Sequence, residues 1–83
     1  MISIAIVEDV KIIREGLQTL LESSQELNCI GGFESFEDFS SSLYKNKPDV
    51  ILIDIELPGI SGVEGIKKLK TLSEDYVIIV LTV

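Results

Sequence analysis

Three stretches of the chain are almost wholly apolar, and each ends on a polar group. They are Ile4-Ala5-Ile6-Val7 before Glu8-Asp9, Val50-Ile51-Leu52-Ile53 before Asp54, and Val77-Ile78-Ile79-Val80-Leu81 before Thr82. Short apolar runs rich in β-branched residues, without strict alternation, are the pattern of strands buried on both faces. The spacing predicts the first strand over Ile2 to Val7, the third over Val50 to Ile53 and the fourth over Tyr76 to Leu81. Leu27 to Phe33, with Gly31-Gly32 near its end, predicts the second.

Between these strands the apolar period lengthens. From Lys11 to Glu22, Ile13, Leu17, Leu20 and Leu21 recur at helical intervals with Lys11, Arg14, Gln18 and Glu22 among the polar positions, which predicts a first helix. Gly16 inside it costs about 1 kcal/mol of helix propensity and is expected to mark close packing on the sheet. Phe36, Phe39 and Leu43 form the stripe of a short second helix, read as core rather than as a ligand pocket, with Ser40-Ser41-Ser42 as a solvated face. Lys47-Pro48-Asp49 is a turn into the third strand. Pro58-Gly59 and Ser61-Gly62 bracket a loop, after which Val63, Ile66, Leu69 and Leu72 stripe a third helix capped by Ser61.

The order βαβαβαβ argues for an α/β fold, a doubly wound parallel sheet with helices on both faces. With 83 residues the chain is one small domain, residues 1–83. If the strand order is flavodoxin-like, 2-1-3-4 with the fifth strand absent, the apolar fourth strand is an unprotected edge that invites pairing with another chain, and a homodimer is the expected consequence.

Composition narrows the functions. Apolar residues make up 46% and charged residues 25%, the balance of a chain that folds. A net charge of −7 with no histidine excludes a sequence-independent nucleic-acid surface, so DNA would be bound only through a segment not present in this chain. Cys29 is the single cysteine, which excludes an internal disulfide and a Cys/His metal cluster; its apolar neighbours predict a buried, inert thiol. The start of the chain lacks the basic residues of a signal peptide and no segment reaches membrane-spanning length, so no membrane partner and a cytoplasmic location are expected.

The candidate chemistry lies at the strand ends. In a parallel sheet, residues leaving the carboxyl ends of neighbouring strands converge in one crevice, which brings Glu8, Asp9 and Asp54 together. Three such carboxylates repel, raising at least one pKa unless a cation neutralises them. Oxygen-only ligation of this kind suits Mg²⁺. A carboxylate beside that metal can attack phosphorus to give an aspartyl phosphate, with Thr82 as a donor to the phosphoryl oxygens. Taken singly, Asp54 reads as readily as a strand-end acid capping a loop, and Asp9 as the cap of the first helix.

Together these residues carry a resemblance. Ile6-Val7-Glu8-Asp9, then Pro48-Asp49-Val50-Ile51-Leu52-Ile53-Asp54-Ile55-Glu56-Leu57-Pro58-Gly59-Ile60-Ser61-Gly62, then Val80-Leu81-Thr82 resemble the CheY-like receiver domain of bacterial two-component response regulators. Gly62 to Lys70 and the ending Leu81-Thr82-Val83 resemble receivers fused to a LuxR-type helix-turn-helix. The resemblance implies that Asp54 accepts a phosphoryl group from a sensor histidine kinase. It implies that Mg²⁺ is held by Asp9 directly, by Glu8 often through a water, by Asp54 and by the backbone carbonyl of Glu56. Thr82 matches the hydroxyl that moves toward the phosphoryl group, and a transcriptional output follows through a population shift.

The family continues with a fourth helix, a fifth strand bearing a phosphoryl-pairing lysine, and a fifth helix, all beyond Val83. Lys11, Lys67, Lys68 and Lys70 do not match that lysine. The expectation is therefore a fragment of a longer regulator, phosphorylated slowly or switching incompletely, and not a conventional multiple-turnover enzyme. Two rivals stand beside it. A haloacid-dehalogenase-type phosphatase wants a second Asp two residues after the nucleophile and its motif in the first strand, whereas here Glu56 holds that offset in mid-chain. The other rival is an interaction module that turns over no phosphate and self-associates through the fourth strand. A flavin site is disfavoured, because Glu8-Asp9-Val10-Lys11 is acidic where a phosphate cradle needs Gly, Ser or Thr.

Overall fold

The computed structural model describes residues 1–83 except Tyr44, Asn46, Glu74, Thr82 and Val83. The elements are β1 (Ile2–Val7), α1 (Lys11–Glu22), β2 (Leu27–Phe33), α2 (Phe36–Ser42), β3 (Val50–Asp54), α3 (Gly62–Leu72) and β4 (Val77–Leu81). The strands form one parallel sheet in the order β2-β1-β3-β4. This is the flavodoxin-like, doubly wound arrangement that the sequence predicts. Val7 pairs with Ile53 and Ile53 with Val80, so β1, β3 and β4 end almost level. The β1–β2 pairing skips Ile30, an irregularity between Ile4 and Ala5.

Alternation along the strands divides the core in two. Ala5, Val7, Ile51 and Ile53 face α2 and α3, where they pack with Phe36, Phe39, Leu57 and Leu69. Ile4, Ile6 and Leu52 face the other way, toward Leu17 and Leu21 of α1. Phe39 meets Phe33 and Phe36 edge-on, with ring centroids 5.5 and 6.1 Å apart, an arrangement favoured by the ring quadrupoles. The expected Phe36, Phe39, Leu43 stripe is thus core, and the Cys29 thiol is half-buried beside the second cluster.

Helix α1 departs from expectation. Its half-buried residues are Arg14, Leu17, Gln18 and Leu21, and none is fully buried. Ile12, Ile13, Gly16 and Leu20 occupy the open side, Leu20 being 68% exposed. Leu20 and Ile13 are therefore not core residues, because the helix carries an apolar arc wider than the stripe the sheet can cover. Gly16 does not mark close packing either: a Cβ there would meet no atom within 4 Å. The close approach is at Gly32 in β2, where a Cβ would stand 2.9 Å from the side-chain amide of Gln18.

On the far side, β4 is the sheet edge, and Val77, Ile79 and Val80 are exposed. Among the described residues no helix is long and apolar enough to cross a membrane.

Candidate functional site

The level strand ends place the acids. Beyond Val7 the chain continues in line, because the Glu8 amide donates to the carbonyl of Phe33 at 2.9 Å. Glu8 is thereby held at the end of the sheet, only 3% exposed, while Asp9 turns outward and is exposed. Asp54 is the last residue of β3 and is half-buried. One carboxylate oxygen from each of Glu8, Asp9 and Asp54 lies within 4.8 Å of the others.

The electrostatic cost of this convergence falls on Glu8. Its pKa is pushed up to about 7, first by burial, then by a hydrogen bond with Asp54 and by the negative charges of Asp54 and Asp9. The Val10 amide works in the opposite direction. A hydrogen bond between two carboxyl groups needs a proton on one of them, so the metal-free cluster holds a proton near neutrality. A divalent cation bound there would displace that proton and offset two of the three negative charges. The donor set is all oxygen, which fits Mg²⁺.

The loop after β3 is fixed beside the acids by several contacts. The Glu56 amide donates to Asp54 Oδ1 at 3.3 Å, folding the backbone back over the carboxylate while the Glu56 side chain stays exposed. Leu57 is buried in the core and anchors the loop from below. Gly59 has φ +73°, a left-handed conformation open to glycine. Gly62 donates to the carbonyl of Ile55 at 2.8 Å, and a Cβ at Gly62 would run into the carbonyl oxygen of Asp54. Ser61 caps α3 as the sequence predicts, its hydroxyl accepting from the Glu64 amide at 3.2 Å.

Two sequence expectations change at this end of the sheet. Asp9 does not cap α1: the capping position is Val10, and no side chain bonds to the helix start. The turn instead leaves a carboxylate oxygen of Asp9 within 4.8 Å of those of Glu8 and Asp54. Thr82, the expected hydroxyl, lies outside the described residues. Of the lysines, Lys67 and Lys68 are exposed on α3, Lys70 donates to the carbonyl of Tyr76 at 2.8 Å, and Lys11 stands 4.0 Å from Glu15.

Two contributors went unread in the sequence. Arg14 donates through Nη1 to the carbonyl of Glu8 at 2.8 Å and to that of Asp9 at 3.3 Å. Glu37, in the first turn of α2, accepts from the Ile60 amide at 3.4 Å and so ties the β3–α3 loop to its neighbour. The available signal for Arg14 was a charged residue on the sheet-facing arc of a helix.

The fold and the site define a parallel α/β domain with an acidic trio at its strand ends, and the comparisons give its family. The chain matches the response regulator receiver domain family over residues 4–83 and belongs to it. It is 34% identical over 83 residues to the response regulator GacA of Pseudomonas aeruginosa, covering 100% of this chain and 39% of GacA. The isolated REC domain of RcsB from Salmonella enterica serovar Typhimurium, solved in the presence of the phosphomimetic BeF₃⁻, superposes with a TM-score of 0.89 at 30% identity. That match covers 98% of this chain and 61% of the RcsB domain. RcsB bound to the promoter rprA superposes with a TM-score of 0.90 at 30% identity, with 98% of this chain and 42% of RcsB covered. The chain thus spans about two fifths of the length of its full-length relatives.

Proposed function

We propose that this domain receives a phosphoryl group on Asp54 from a sensor histidine kinase and passes the signal on as a change of surface. The observation that carries the reading is the approach of Glu8, Asp9 and Asp54 within 4.8 Å at the strand ends of a receiver-family chain. An Asp54 carboxylate oxygen attacks the phosphorus of a phosphohistidine, the P–N bond breaks, and the electron pair leaves with the imidazole nitrogen, which is then protonated. The product is an acyl phosphate. Asp9, Asp54, Glu8 and the backbone carbonyl of Glu56 would hold the Mg²⁺. When bound, the metal neutralises charge on the transferring phosphoryl oxygens.

The chain's own residues prepare the step. The Glu56 amide orients the Asp54 carboxylate through Oδ1. Glu8 keeps a proton in the metal-free cluster and yields it when a cation enters. Thr82 is assigned the hydroxyl that follows the phosphoryl group. Residues 1–83 are the N-terminal part of a receiver domain that works in the cytoplasm and serves a transcriptional output, with DNA bound by a segment outside this chain; the likeness to RcsB bound to promoter rprA supports that output.

The test is intact mass after incubation with a small phosphoryl donor, with and without Mg²⁺, beside Asp54→Ala. A Mg²⁺-dependent gain of one phosphoryl group, absent in the variant, supports the reading. No gain in a folded sample overturns the reading for this chain as it stands and leaves it a binding or structural fragment.

The exposed edge of β4, with Val77, Ile79 and Val80 outward, favours a second reading in which the chain acts as an interaction module and pairs with a second copy. A concentration-independent monomer in light scattering eliminates it.

A further inference from the structure

Arg14 reaches the acidic loop from the helix side. It lies on the covered arc of α1 with Leu17, Gln18 and Leu21, half-buried, and its Nη1 bridges two successive backbone carbonyls, those of Glu8 and Asp9. These are the residues whose carboxylates meet Asp54. The strand side of the same loop is held by the Glu8 amide on Phe33. The helix side has no side-chain cap and no acidic residue in the first turn of α1. The charge-assisted bonds from Arg14 therefore fix the Glu8 and Asp9 peptides where capping does not.

The direction of the bonds matters. They end on carbonyl oxygens, which leaves the carboxylate oxygens available to a cation. The crowded acids oppose a close approach of the β1–α1 loop to Asp54, and a backbone pin holds the loop there before any metal arrives. We propose that Arg14 is a positioning residue of the cation site, holding the Glu8 and Asp9 peptides so that their carboxylates meet Asp54 at a spacing a Mg²⁺ ion can bridge. The inference rests on the metal-binding reading given above.

Both bonds leave a single nitrogen, which gives the inference a sharp test. A lysine ammonium also presents several protons from one nitrogen, so Arg14→Lys keeps the bridge, whereas Arg14→Met keeps the apolar stem and removes it. Mg²⁺ is titrated calorimetrically into the unmodified chain, Arg14→Met, Arg14→Lys and Asp9→Asn, and each metal-free sample is melted by circular dichroism. Loss of an outer partner of a metal site weakens affinity by about 10-fold or more, and that is expected for Arg14→Met, with Arg14→Lys close to the unmodified chain.

A merely structural arginine would lower the metal-free Tm and leave the Mg²⁺ affinity of the folded protein unchanged, which would overturn the proposal. Loss of affinity in Arg14→Lys equal to that in Arg14→Met would also overturn it. If Arg14→Met does not fold, Arg14→Gln, which removes the charge and shortens the side chain, takes its place under the same criteria. Absence of Mg²⁺ binding in the unmodified chain is a different outcome, which removes the metal reading itself and the inference with it.

Discussion

The two ends of the β1–β3 pair treat their carboxylates in opposite ways. At the amino end, Asp49 Oδ2 accepts from the Ser3 amide at 2.9 Å and from the Ser3 hydroxyl at 3.0 Å, while the Asp49 amide donates back to the Ser3 hydroxyl and carbonyl at 2.9 Å. Those bonds hold the Asp49 pKa below its ordinary value. At the carboxyl end, Glu8 faces Asp54 and Asp9, and its pKa rises to about 7. One end clips two strands together, and the other crowds acids against one another. The same residue type is structural where donors surround it and chemical where acids do.

The largest effect that separates the ends is expected at Asp54. Asp54→Asn removes one charge from the trio and should raise the metal-free Tm at pH 7, while abolishing the Mg²⁺-dependent mass gain; melting and intact mass check both. A lower Tm would mean that the trio is not repulsive. Next in size is Gly62→Ala, which drives a Cβ into the Asp54 carbonyl oxygen. Overpacking of this kind costs about 1–3 kcal/mol, read by urea denaturation, and an unchanged midpoint would show a loop that yields freely.

The pH dependence distinguishes the ends by sign. Glu8 binds its proton more tightly in the folded state than at its ordinary value of 4.5. Its contribution is therefore fully present below pH 4.5 and is lost as pH rises through about 7, so the metal-free Tm falls over that window. Saturating Mg²⁺ should flatten or reverse the slope above pH 6. Asp49, lowered from 3.8, contributes stability above that value and loses it as pH falls. Asp49→Ala should accordingly lower the Tm modestly at pH 7 and little in strong acid, as thermal melts at the two pH values would show.

The smallest effect lies away from both ends. Gly16→Ala places a methyl group in open space on a helix and is expected to stabilise by up to about 1 kcal/mol, measured by denaturant unfolding. Destabilisation there would mean that the open side of α1 is covered in solution.

The element order was legible because each element carries a local period. Strands β1 and β2 and helix α1 fall on the predicted residues, and the others differ by a residue or so at their ends. The convergence of Glu8, Asp9 and Asp54 was legible because the carboxyl ends of parallel strands share one side of the sheet. Gly16 was misread because a helical stripe gives a period and not the width of the surface that covers it. Asp9 was a good cap by type, yet the turn after β1 gave the capping position to Val10. Arg14 went unread because its partners are backbone carbonyls, which no residue pattern announces.

The sequence by itself determined the succession of strands and helices, the parallel sheet and the acids at its ends, since these follow from periodicity and from chain direction. Only the tertiary structure decided that Glu8 loses its water and takes a raised pKa while Asp9 stays exposed, and that Arg14 holds the loop they share. Desolvation and hydrogen bonding depend on which groups the fold brings alongside, and those neighbours stand far apart along the chain.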